Sequence, residues 1–139
     1  MGRVQRRQFL IAAGTLLFAP LAADAQQPQK VRRIGFLGNT ESPPVEAFRQ
    51  GLRDLGWVEG RNILIEYRWM RGRPERLPAL AGEVVSLNLE VILASSSTQV
   101  EAVRQKTKTI PIVFAVHADP VGVGDVASLA RPGGNITGL

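Results

Sequence analysis

The chain has 139 residues, 17 basic and 12 acidic side chains, a formal net charge of +5 and no cysteine. That length supports one domain with a real core and no more, and the missing cysteines exclude disulfides and a lipid-modified amino terminus. The charge excess is too thin for nucleic acid: Arg68, Arg71, Arg73 and Arg76 form its only basic cluster, Glu75 interrupts it, and a solvated loop and helix start account for it.

In chain order, the first element is an export signal. Arg3, Arg6 and Arg7 precede an uncharged, largely apolar run over 9–22, and Ala23-Asp24-Ala25 places small residues where a signal peptidase cuts. The pair Arg6-Arg7 before Gln8-Phe9-Leu10 looks like a twin-arginine signal, although Gln5 and Ile11 depart from its flanking pattern. A membrane anchor would need about 20 apolar residues, and this run is shorter and broken by Gly14, Thr15 and Pro20. Residues 1–25 are therefore expected to be a signal peptide cleaved after about Ala25. Residues 26–139 would then form one mature domain, not embedded in the membrane, with 14 basic against 11 acidic side chains.

After a polar lead over 26–30, Val31 to Leu37 reads as a strand and Gly38-Asn39-Thr40 as a loop. Ser42 is placed to cap a helix with Pro43 in its first turn. Val45, Phe48, Leu52 and Leu55 recur at helical spacing until Gly56, a left-handed cap. Ile63 to Trp69 alternates, with Ile63, Ile65, Tyr67 and Trp69 on one face, as in a half-exposed strand near a sheet edge. A second helix is predicted from about Pro74 to Leu87, with Leu77, Leu80, Ala81, Val84 and Leu87 on one stripe. Val91 to Ala94 and Ile112 to Val116 are continuously apolar, the mark of strands buried on both faces. Between them a helix is expected over Thr98 to about Lys106, with Thr98 and Glu101 at capping-box spacing. Asn135 to Leu139 starts a fifth strand.

This alternation predicts an α/β fold with a doubly wound parallel sheet, in which ligands bind beyond the carboxyl ends of the strands where strand order reverses. Three loops occupy such ends: 38–42, 95–98 and 117–120. In the second, three serines enter a helix amino end, where free N–H groups and rotatable hydroxyls suit a carboxylate; the plainer reading is a polar loop closed by Thr98. Asp119 can pair with a cationic ligand group or serve as a turn former before Pro120.

These residues resemble the ABC-transporter substrate-binding proteins of the tryptophan-binding (TrpX-like) family. The likeness runs through Val31 to Gly38, Phe48 to Gly60, Ile65-Glu66-Tyr67-Arg68, Pro74 to Pro78, Ile110 to Phe114, Asp119-Pro120-Val121-Gly122 and Ala130 to Leu139. The resemblance implies one lobe of a type I periplasmic-binding-protein fold, holding an amino acid or similar small solute for an ABC permease of the inner membrane. It also implies a periplasmic location. Carried over by position, the ligand-binding candidates are Asn39, Thr40, Ser96, Ser97, Thr98 and Asp119. Members of that family often carry a Gly-Thr-Pro type loop where this chain has Ser95 to Gln99, which leaves the ligand's identity open. They also continue into a second lobe, whereas this chain stops at Leu139, near where the crossover should begin. The expectation is therefore an N-terminal lobe without its partner.

Two other classes of protein share features of this pattern. A ligand-sensing domain of a receptor or regulator can share the lobe fold, but an export signal disfavours a repressor. An enzyme is disfavoured because His117 is the only histidine, and neither a G-x-S-x-G nor a P-loop pattern occurs. No catalytic residue, metal site or cofactor is expected.

Overall fold

The computed structural model describes residues 30–138, so the expected export signal and its expected cut after Ala25 lie outside the described residues. The element order is β1 (Arg32–Gly38), α1 (Pro43–Asp54), β2 (Ile63–Trp69), a short 3-10 turn (Pro74–Arg76), α2 (Leu77–Ser86), β3 (Val91–Ala94), α3 (Ser97–Arg104), β4 (Ile112–Phe114) and β5 (Ile136–Gly138). The five strands are all parallel in the order β2-β1-β3-β4-β5. The chain leaves β1 toward one edge, then returns past it to β3, so strand order reverses between β1 and β3. The alternating strand Ile63–Trp69 is the outer edge, as its half-exposed pattern predicts.

Side-chain alternation divides the core in two. On one face Leu37, Ile92, Ile112 and Phe114 pack against Leu80, Ala81 and Val84 of α2 and Val100 and Val103 of α3. The long connection from β4 to β5 crosses this same side, where Val126 joins the core. On the other face α1 covers β1 and β2, enclosing Phe36, Val45, Ile63 and Ile65. Phe36 anchors an aromatic group there, with ring centroids 5.6 Å from Phe48, 5.7 Å from Tyr67 and 5.4 Å from Trp69.

Several local expectations are corrected. Strands β3 and β4 are not sealed on both sides: Ile92, Ala94, Ile112 and Phe114 are buried, while Val91, Leu93 and Val113 are only half-buried. The reason is that α1 reaches β1 and β2 but leaves a groove over β3 and β4. The second helix is split, because Pro74 and Pro78 divide a 3-10 turn from an α-helix beginning at Leu77. Ser42 is the residue before α1, and its carbonyl accepts the Glu46 N–H at 3.2 Å, but its hydroxyl forms no cap.

The Thr98–Glu101 capping box is absent. Helix α3 begins at Ser97, with Ser96 extended before it and the Ser96 carbonyl accepting the Val100 N–H at 3.0 Å. The hydroxyls of Ser96 and Thr98 turn instead to the amide oxygen of Gln99. Gln99 is buried, so its oxygen needs donors from within the protein. Glu101 pairs forward with Arg104 and Gln105. Arg104 bonds to it and holds its carboxyl below the usual carboxylate range.

Candidate functional site

At the carboxyl ends of β1, β3 and β4 lies a cleft of about 640 Å³, at the place where strand order reverses. Asn39, Thr40 and Ser42 form one rim, Ser95, Ala115 and Val116 the other, and Phe36, Phe48 and Leu93 floor it. The structure therefore brings Asn39 and Thr40 to the cleft. Ser96, Ser97, Thr98 and Asp119 stand behind the second rim and do not line it.

The first rim is braced to its neighbour. The Gly72 N–H donates to Asn39 Oδ1 at 2.7 Å, and the Arg71 N–H donates to the Asn39 carbonyl at 2.7 Å. The side-chain oxygen of Asn39 thus holds the loop after β2, and its amide N–H groups are not used in that contact. Gly38, which opens this loop, admits no side chain. A Cβ there would sit 2.7 Å from the Phe36 ring and 2.9 Å from that of Trp69.

The second rim is braced to the third loop. Ser95 N–H donates to the Leu37 carbonyl at 3.1 Å, tying it to β1. Ala118 N–H donates to Ser97 Oγ at 3.0 Å, joining the start of α3 to the loop after β4. No capping side chain takes the first-turn N–H groups of α3. They keep the partial positive charge of a helix amino end. In the third loop Asp119 is a turn former: its Oδ1 accepts the Gly122 N–H at 2.7 Å. Chemically, the cleft offers the hydroxyls of Thr40, Ser42 and Ser95 and the Asn39 amide around an aromatic floor. Among the described residues there is no cluster of metal-binding side chains, and no helix is long and apolar enough to cross a membrane.

Sequence reasoning missed the cleft's floor. Phe36 and Phe48 read as ordinary strand and helix positions, and they reach the cleft because, among the described residues, no second helix lies over Leu93. Ser42 and Ser95 lie within the three strand-end loops, but Ser42 is read there as a helix cap and Ser95 only as one of three serines entering the next helix. A period-3.6 or period-2 pattern carries no signal for either role.

A doubly wound parallel sheet with a hydroxyl-lined cleft at its switch point is the architecture of an α/β lobe. The family model of ABC transporter substrate binding proteins matches residues 39–139, and the chain belongs to that family. It is 32% identical over 114 residues to a tyrosine-binding protein of Clostridioides difficile, a match covering 79% of this chain and 33% of that protein. Among solved structures, it is similar to a ligand-free, open substrate binding protein with adhesive properties from Clostridium difficile. That match has a TM-score of 0.70 at 30% identity and covers 78% of this chain and 38% of the other. An ABC domain in complex with L-Trp from Streptococcus pneumonia shares the fold, with a TM-score of 0.68 at 22% identity over 79% of this chain and 38% of that one. The chain thus spans about a third of the length of the relatives it matches.

Proposed function

We propose that residues 26–139 are the first lobe of the solute-binding component of an ABC uptake system. It captures an amino acid outside the cytoplasm and presents it to an inner-membrane permease. Residues 1–25 serve this role as the export signal. The observation that carries the reading is the cleft itself: hydroxyl and amide donors from separate strand-end loops surround an aromatic floor at the reversal of strand order. Asn39 and Thr40 would contact the ligand from the first rim. Ser96, Ser97 and Thr98 at the amino end of α3, and the free oxygen of Asp119, stand behind the second rim, where a ligand reaching past Ser95 would place its α-carboxylate and its ammonium group. Phe36 and Phe48 suit an aromatic or large apolar side chain. The tyrosine-binding relative supports that class of ligand.

The test is an NMR titration of the chain with L-tyrosine and L-tryptophan, using glucose as a control. Binding should shift the amides of Asn39, Thr40 and Ser95 to Thr98 in a saturable manner. Saturable shifts confined to other parts of the sheet, or equal shifts with glucose, would overturn the assignment.

A further inference from the structure

Behind the cleft, the third loop is held by a buried imidazole and carboxylate that no ligand contact requires. The side chain of His117 is 4% exposed and that of Asp125 1%. His117 Nε2 lies 2.8 Å from Asp125 Oδ2, and the Asp119 N–H donates to His117 Nδ1 at 3.2 Å. An amide nitrogen can only donate. Nδ1 is therefore the acceptor, and the proton of the neutral ring sits on Nε2, donating to Asp125. In this tautomer both ring nitrogens are satisfied at once. Phe114 holds the plane of the ring, meeting it edge-on with centroids 5.1 Å apart.

Asp125 is in turn tied to α3. Arg104 Nε lies 3.2 Å from Oδ1, near enough for charge attraction but off the line of a hydrogen bond. Glu101 pairs with the same guanidinium. A buried carboxylate is costly without such partners. The links therefore run from α3 through Arg104 and Asp125 to His117, and end on the backbone of Asp119. There the turn closes on itself: Gly122 N–H donates to Asp119 Oδ1, and a Cβ at Gly122 would strike that carboxylate.

We infer that His117 is a positioning residue, whose Nδ1 lone pair holds the Asp119 turn against α3 and so sets where the Asp119 carboxylate stands. The consequence for a ligand rests on the solute-binding reading; the hydrogen-bond relay does not. Two substitutions separate the two ring nitrogens. His117→Asn keeps an oxygen near the position of Nδ1 and loses the reach to Asp125, whereas His117→Gln keeps a donor near Nε2 and loses the acceptor.

The experiment is NMR on the full chain. In the unsubstituted protein, nitrogen-15 shifts of His117 at neutral pH should show Nδ1 unprotonated and Nε2 protonated. The Asp119 amide should exchange with solvent roughly tenfold faster in His117→Gln, the loss expected for one hydrogen bond, and stay protected in His117→Asn. A proton found on Nδ1, or equal Asp119 exchange in all three proteins, would overturn the inference. Titration of the same samples with L-tyrosine reports separately on the ligand. If the exchange pattern holds while L-tyrosine fails to bind any sample, the solute reading fails and the positioning role stands.

Discussion

The two faces of the sheet are built by the same strands but finished differently. Toward α2 and α3, Leu37, Val84, Ile92, Val100, Val103 and Ile112 have no exposed surface. Toward α1, Phe36 and Ile65 are buried, but Leu93 and Val113, one residue along from the sealed positions, are half-open. Among the described residues, two helices and a crossing loop cover the first face, and one helix covers part of the second. Stability is therefore concentrated on the α2/α3 side. The open part of the α1 side runs up into the cleft, where Leu93 and Phe48 are shared between groove and cleft. The lobe seals one face and leaves the upper part of the other open at the cleft.

The sharpest way to break this comparison is to truncate adjacent residues of β3. Ile92→Ala removes a fully enclosed side chain and should cost about 2–5 kcal/mol. Leu93→Ala, facing the groove, should cost less than about 2 kcal/mol because water already reaches the site. Urea unfolding of both variants checks the order, and equal costs would show that the α1 side is as tightly closed as the other.

Glycine positions test the same contrast at smaller scale. A Cβ at Gly35 would lie 2.6 Å from Val84 Cγ2 and 2.7 Å from Leu89 Cδ1, on the sealed side. Gly35→Ala should therefore destabilise by about 1–3 kcal/mol. Gly51 lies within α1 with nothing inside 4 Å of such a Cβ. Gly51→Ala should stabilise by about 0.5–1 kcal/mol through the lower backbone entropy of the unfolded chain. Thermal melts of the pair should move in opposite directions.

The smallest effect is expected from Tyr67, on the α1 side. Burial pushes its phenol above the ordinary value, against the opposing hydrogen bond from Arg49 Nε at 2.8 Å. Folded Tyr67 thus keeps its proton beyond the pH of about 10 at which an unfolded tyrosine loses it. In that interval the folded state holds more protons than the unfolded one. Its contribution is complete below about pH 10 and lost as pH rises through the folded value. Urea midpoints followed into alkaline solution should fall less steeply in Tyr67→Phe than in the unsubstituted chain.

Much of the architecture was legible from residue spacing. The stripe Leu77, Leu80, Ala81 and Val84 marked α2 and its buried face, and the alternation Ile63, Ile65, Tyr67 and Trp69 marked an edge strand. Gly56 does adopt the left-handed conformation expected of a helix cap, with φ of 85°. The start of α3 was not legible. Thr98 and Glu101 have the spacing of a capping box, yet burial of Gln99 draws the nearby hydroxyls to itself and Arg104 draws Glu101 away. A local motif lost to a buried amide and a neighbouring charge, both stronger claims on the same atoms.

The sequence by itself determined the kinds of element, their order, the parallel class of the sheet and the three strand-end loops where a ligand could sit. These follow from periodicity and from the short range over which caps and turns act. Only the tertiary structure decided which loops brace each other: Asn39 with Gly72, Ser97 with Ala118, and His117 with Asp125. It also decided that the α1 face stays partly open above Phe48 and Leu93. Hydrogen bonds and burial of this kind depend on distance through space, and residues far apart along the chain carry no pattern that announces it.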